Sequence, residues 1–232
     1  MTSNLILVPG LLCSHDLWVD QIGEFEDDFD MVIFDHTSHD NLPDMVRDFL
    51  ADAPERFHLA GLSMGGYVAF ELLRQAADRV ESLILLDTNA RADRPEQVAG
   101  RQQLIERADK EDIREIAKDL LPVLVHPDRL RDEEICDRIV DMAVEVGAEA
   151  FQRQQKALIR RPDSRDFLPT IKCPTLIICG AQDALTPLKV HQEMADLIPG
   201  AELHVVDDCG HLSSMERPEE INRLMRNFLV PE

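Results

Sequence analysis

The sequence predicts an α/β fold, a doubly wound and mostly parallel sheet of about six strands with an inserted helical cap. Three observations predict it. Short continuous apolar runs alternate with helix-period patterns, as expected of parallel strands covered on both faces. A serine sits at the apex of a glycine-rich turn, Gly61-Leu62-Ser63-Met64-Gly65-Gly66, between one such run and one such pattern. A long stretch with helix patterns and no convincing strand, 91–168, interrupts the alternation.

Taken in order, Leu5-Ile6-Leu7-Val8 reads as a buried strand and Met31-Val32-Ile33-Phe34 as the next. Leu42, Met45, Val46, Phe49 and Leu50 follow helical spacing, with Asn41 as the cap and Pro43 in the first turn. The strand His58 to Leu62 leads into the serine turn and a helix over Tyr67 to Leu73, and Leu83 to Leu86 is the fourth strand. In the insertion, Ile113, Ile116, Ala117, Leu120, Leu121 and Leu124 mark one helix, and Ile135, Ile139, Met142 and Val146 another. Four helices are expected there. Strands then resume at Thr175 to Ile178 and Leu203 to Val206, and Ile221, Leu224, Met225, Phe228 and Leu229 form a last helix after Pro218. The expected division is a core of 1–90 and 169–232 and a cap of 91–168. An insertion leaving a strand's carboxyl end is expected over the crevice where such sheets bind ligands, and a plain helical elaboration on one edge of the sheet is the alternative.

The serine turn carries the chemistry. G-x-S-x-G needs small residues on both sides of the serine because the strand-to-helix turn is tight, and the helix N-terminus aims N–H groups at any anion formed there. Asp183, in Cys179-Gly180-Ala181-Gln182-Asp183, and His211, in Cys209-Gly210-His211, each follow a predicted strand end. Such ends share one crevice. Ser63 is the candidate nucleophile, His211 its base, and Asp183 the carboxylate that orients the imidazole. Asp87, just past the fourth strand, is the competing acid.

These segments resemble the α/β-hydrolase superfamily over nearly the whole chain, and are most similar to small esterases and lactonases such as the 3-oxoadipate enol-lactonases. Gly61 to Gly66 resembles the nucleophile elbow, Gly180 to Asp183 with Leu185-Thr186-Pro187 the acid loop, and Gly210-His211 with Glu216-Arg217-Pro218-Glu219 the histidine loop. Val8-Pro9-Gly10-Leu11-Leu12, with Trp18 beyond, resembles the oxyanion loop, although the family usually has His-Gly where this chain has Pro9-Gly10. The resemblance implies oxyanion donors at the Leu11 and Met64 amides. Substrate contacts are assigned to Leu12, Leu185, Leu212 and Arg160.

Other polar groups have plainer readings beside functional ones. Asp35, His36, His39 and Asp40 include a His-x-x-His pattern, but read better as a polar loop than as a metal site. Arg153, Arg160 and Arg161 end the last cap pattern. Arg160 or Arg161 could receive a substrate carboxylate, and solvated surface arginines are the alternative.

Composition narrows the classes. The net charge of −21 over 232 residues opposes nucleic acid and anionic membranes as partners. Five scattered cysteines suggest reduced thiols rather than a disulfide framework, and the apolar N-terminal stretch lacks a preceding basic region, so a cytoplasmic protein is expected. The expected function is a serine hydrolase acting on a small ester, lactone or thioester, with no cofactor and no metal. Carbon–carbon hydrolysis, perhydrolysis or elimination with the same residues, or a low-turnover ligand receptor, are the alternatives.

Overall fold

The protein is described here over residues 3–230 of a computed structural model. Strands β1 (Ser3–Val8), β2 (Phe29–Ile33), β3 (Phe57–Leu62), β4 (Val80–Leu86), β5 (Thr175–Gly180) and β6 (Glu202–Val206) form one sheet in the order β2-β1-β3-β4-β5-β6. All five pairings are parallel. Each apolar run seen in the sequence falls in one of these strands, except that Phe34 lies one residue past β2, where its N–H still donates to Leu7 O at 2.9 Å.

The apolar runs are continuous because both faces of the sheet are buried. Ile6, Val8, Leu59, Leu83, Leu85 and Ile177 join one core with helices α2 (Leu42–Asp52), α3 (Met64–Ala76) and α7 (Leu188–Leu197). The alternate residues Leu5, Leu7, Ala60, Leu62, Ile84 and Ile178 join the opposite core with α1 (Val19–Phe25) and α9 (Pro218–Leu229). The period of two sorts neighbouring side chains to opposite faces. The Asn41 side chain caps α2 as the sequence suggests, accepting the Asp44 N–H at 2.9 Å.

Between β4 and β5 lie α4 (Pro95–Ala108), α5 (Ile113–Leu124) and α6 (Glu133–Arg160). Gly147, at φ 78°, breaks α6 into two helices, which gives the four helical segments that the spacing suggests. Ile113, Ile116, Ala117, Val140, Ala143 and Phe151 form a small core that also takes in Leu12, from the loop after β1. Among the described residues, no helix is long and apolar enough to cross a membrane.

The chain reverses direction across the sheet between β1 and β3. Loops leaving adjacent strands there diverge and open a crevice. The close approach of β3, α3 and β1 at this point depends on glycine. A side chain at Gly61 would strike the Gly65 backbone, and one at Gly65 would strike the carbonyl of Val8. Neither neighbour is a flexible side chain that could move aside. Gly65→Ala is therefore expected to cost about 1–3 kcal/mol, the usual range for overpacking. Urea unfolding measures it, and an unchanged midpoint would show that the turn has slack.

Candidate active site

Ser63 joins β3 to α3 at φ 55°, a left-handed backbone that a non-glycine residue rarely adopts. Three hydrogen bonds hold it there. Its N–H donates to Leu86 O at 2.9 Å, and its carbonyl accepts from Gly66 N–H at 3.0 Å and from the Thr88 hydroxyl at 2.8 Å. The side chain is thereby turned out of the backbone, and Oγ lies 2.8 Å from His211 Nε2.

His211 stands in the loop after β6, with Nδ1 2.8 Å from Asp183 Oδ2. Both residues are buried. The carboxylate can only accept, so it selects the imidazole tautomer with hydrogen on Nδ1. Nε2 is left bare, and the Ser63 hydroxyl can donate to it. Burial opposes protonation of His211, but the adjacent Asp183 charge and hydrogen bond outweigh burial and raise its pKa above the usual imidazole value. Burial likewise opposes ionisation of Asp183, yet His211, the Thr186 hydroxyl and the Thr186 N–H bring its pKa below the usual carboxylate value. Asp183 accepts from Leu185 N–H at 2.8 Å, Thr186 N–H at 2.9 Å and the Thr186 hydroxyl at 2.5 Å.

Asp87 is differently employed. Its side chain accepts the Gly180 N–H at 2.9 Å and the Ser213 N–H at 3.2 Å, tying the ends of β4 and β5 to the short helix α8 (Ser213–Glu216). Burial, then repulsion from Asp183, pushes its pKa up to about 7. Asp183, not Asp87, meets the imidazole.

The loop after β1 brings Leu11 beside Ser63 and Met64 on the wall of one cavity. The His36 ring Nε2 is 2.8 Å from Gly10 O, close enough to donate to it, and Leu12, at φ 59°, donates its N–H to Gln154 Oε1 of α6 at 3.2 Å. Among the described residues, neither the Leu11 N–H nor the Met64 N–H has a protein acceptor. Such free amides beside a nucleophile can receive a developing oxyanion.

The cavity has a volume of about 190 Å³ and is lined in large part by residues of the insertion. Leu104, Leu120, Val123, Ile139 and Leu158 make its far wall largely apolar. Leu12, Leu185 and Leu212 line it as well. Arg160 does not, which corrects the expectation for it. Its guanidinium pairs with Asp40 at 2.9 Å and is 56% exposed, because the end of α6 runs along the loop after β2. Arg161 is buried against Asp93 at 2.7 Å, and Arg153 donates to Thr37 O at 2.7 Å. The arginine on the cavity wall is Arg101 of α4, with Gln155 of α6 and Tyr67 of α3 near it on the same wall. No motif marks Arg101. The signal that sequence reading passed over is Gln154-Gln155, two buried polar residues inside the apolar stripe of Ala150, Phe151, Ala157 and Leu158.

The polar loop after β2 disperses its groups. Asp35 accepts from Thr37, His36 holds Gly10, and His39 pairs with Asp48 at 3.0 Å. Asp87, Cys179 and His191 bring possible metal-binding atoms within 4.8 Å of one another. Asp87 already accepts two N–H groups and His191 Nε2 accepts from Thr88 N–H at 3.0 Å, so this donor set is largely committed to the backbone.

The insertion also grips the histidine loop. The N–H groups of His211 and Leu212 both donate to Leu124 O, at 3.0 and 3.1 Å. The buried Glu216 carboxylate accepts from Gly210 N–H at 3.0 Å and Leu212 N–H at 3.3 Å, and from His126 N–H at 2.8 Å.

Residues 5–224 match the Alpha/beta hydrolase family, and the chain belongs to it. It is similar in structure to a thermophilic esterase from Thermogutta terrifontis solved with malate bound, at 31% identity and a TM-score of 0.89 over 98% of this chain and 90% of that one. It is also similar to the enol-lactonase of Burkholderia xenovorans LB400, at 26% identity and a TM-score of 0.88 over 99% of this chain and 92% of that one. A Pseudomonas 2-hydroxy-6-oxononadienedioate/2-hydroxy-6-oxononatrienedioate hydrolase is 29% identical over 181 residues, which make up 76% of this chain. That match spans 64% of the Pseudomonas protein.

Two outcomes are expected of a phosphonylating reagent aimed at Ser63. Attack needs neutral His211, whose pKa is raised, so labelling should rise with pH through a midpoint above about 6.5, the ordinary imidazole value. Stopped-flow labelling across pH measures it, and a flat profile would deny that His211 is the base. Asp183→Asn should slow labelling by up to about 10⁴-fold, because an amide can hold the wrong tautomer, while Asp87→Asn should cost far less. The reverse order would move the orienting acid to Asp87.

Proposed function

We propose that the protein is a serine hydrolase cleaving a small carboxylic ester, lactone or thioester, with 91–168 acting as a cap over a core of 1–90 and 169–232. The observation that carries this reading is the unbroken hydrogen-bond path from Asp183 Oδ2 through His211 to Ser63 Oγ, each link 2.8 Å, opening into a cavity beside two free amides. Ser63 Oγ forms a bond to the substrate carbonyl carbon while its proton passes to His211 Nε2. The Leu11 and Met64 N–H groups hold the oxyanion. The carbonyl bond to the leaving group then breaks, and the leaving group takes the proton from His211. Water, deprotonated by the same nitrogen, attacks the acyl-enzyme and frees Ser63. Every step uses side chains and amides of this chain.

The esterase and enol-lactonase likenesses support the substrate class. The likeness to the Pseudomonas hydrolase favours a second reading, carbon–carbon bond hydrolysis by the same three residues. The apolar cavity suits a small organic substrate in either case. The surface charge of −21 fits a protein that does not seek nucleic acid or anionic membranes, and we place it in the cytoplasm.

Purified protein is expected to turn over p-nitrophenyl acetate, and Ser63→Ala to lower kcat by about 10³-fold or more with an unchanged unfolding midpoint. Hydrolysis surviving in the folded mutant would sink the serine mechanism. Stoichiometric labelling of wild type without repeated turnover would favour a receptor.

A further inference from the structure

Besides the Ser63–His211 pair, the cavity wall carries a second set of polar groups, a polar pole built from α3, α4 and α6. Gln155 is completely buried on its wall. Its Oε1 accepts from Arg101 Nη1 at 2.8 Å, but its Nε2 has no hydrogen-bond partner. A buried amide N–H₂ without an acceptor is unfavourable, and one on a cavity wall can be satisfied by an acceptor on a bound ligand. Arg101 directs Nε to Asp93 at 2.6 Å and Nη1 to Gln155, leaving Nη2 without a protein acceptor among the described residues. Tyr67, on the same wall, accepts from Asn89 Nδ2 at 2.8 Å through its hydroxyl oxygen, which leaves the O–H proton to donate.

The charges at this pole do not balance. Asp93 is shared by two guanidinium groups, Arg101 at 2.6 Å and Arg161 at 2.7 Å. Burial opposes ionisation of Asp93, but these two partners hold its pKa below the usual carboxylate value, so it is charged. Arg161 gives its other hydrogen bonds to the carbonyls of Arg91 and Leu158 and stacks on the Tyr67 ring at 4.3 Å. Two cations share one anion, leaving a net positive charge beside three groups that each keep a donor without a protein acceptor. Uncompensated charge in a low-dielectric site is unfavourable, and an anion with several acceptor oxygens relieves both deficits at once.

We infer that Arg101, Gln155 and Tyr67 form a receiving site for a carboxylate on the substrate, so that the preferred substrates are short esters, lactones or thioesters carrying a carboxylate at the end remote from the scissile carbonyl. The inference rests on the serine-hydrolase reading for the scissile end. It reconciles an acidic protein with an anionic substrate, because the incompletely balanced arginines at this pole are opposite in sign to the net charge of the chain. The apolar residues of the same cavity suit the chain that joins the two carbonyl carbons, and the orphaned donors reject a neutral tail, since binding one leaves them unpaired.

The test compares p-nitrophenyl hydrogen glutarate with p-nitrophenyl pentanoate, esters of equal acyl length that differ in the terminal carboxylate. Wild type is expected to favour the glutarate ester in kcat/KM by about 10-fold or more. Gln155→Glu keeps an acceptor for Arg101 but replaces the free donor with a negative charge, and should reverse that ratio. Arg101→Met should collapse it, and is the variant more prone to misfold because it strips a partner from Asp93. Calorimetry with glutarate and the Ser63→Ala protein reads the site without catalysis, and binding should vanish when Gln155→Glu is added. An ester ratio that Gln155→Glu leaves unchanged, or no glutarate binding to Ser63→Ala, overturns the inference. Glutarate binding in a protein that hydrolyses neither ester would uphold the site and overturn the hydrolase reading instead.

Discussion

The imidazole of His211 spans the gap between two oxygens carried by different strands, and the rest of the molecule is arranged around that span. Ser63 Oγ comes from the end of β3 and Asp183 Oδ2 from the loop after β5, each 2.8 Å from a ring nitrogen. An error of 1 Å at either end would break the path, so each end is fixed by several bonds. Three backbone bonds hold Ser63 in its left-handed conformation. Three donors besides His211 hold the Asp183 carboxylate. The strained backbone at Ser63 is tolerated because the packing of β1, β3 and α3 leaves no alternative.

The insertion takes part in this positioning as well as lining the cavity. Leu124 O receives both N–H groups of the histidine loop, and Glu216 joins that loop to His126. Burial raises the pKa of Glu216, against which the His126, Gly210 and Leu212 N–H groups favour its charged form. On the other side of the cavity, Gln154 holds the loop that presents Leu11. The helices that shape the pocket thus also fix both loops that flank Ser63, and movement of the insertion would disturb the His211 loop and the Leu11 loop together.

Much of this was legible in the sequence, for physical reasons. The six strands announced themselves because both sheet faces are buried, which demands continuous apolar runs such as Leu83 to Leu86. The serine turn was legible because backbone crowding restricts it to glycine on either side. Asp183 and His211 could be located because each follows a strand end. Other elements left weaker traces. Helix α7 buries His191 and Met194 but few other residues, so its spacing carries little signal. The polar lining of the cavity was the least legible part. Arg160 and Arg101 are the same residue type within the same insertion, and no local pattern in the sequence tells that Arg160 meets Asp40 while Arg101 faces the cavity.

The proposed reaction is covalent, with an acyl group passing through Ser63. The most direct measurement is rapid acid quenching during turnover of a slowly hydrolysed ester, followed by mass analysis of the proteolysed protein. The acyl mass is expected on the peptide containing Ser63, accumulating within the first turnover and absent from Ser63→Ala. An acyl group found on another residue, or turnover with no covalent species while the ester is consumed in a burst, would contradict it.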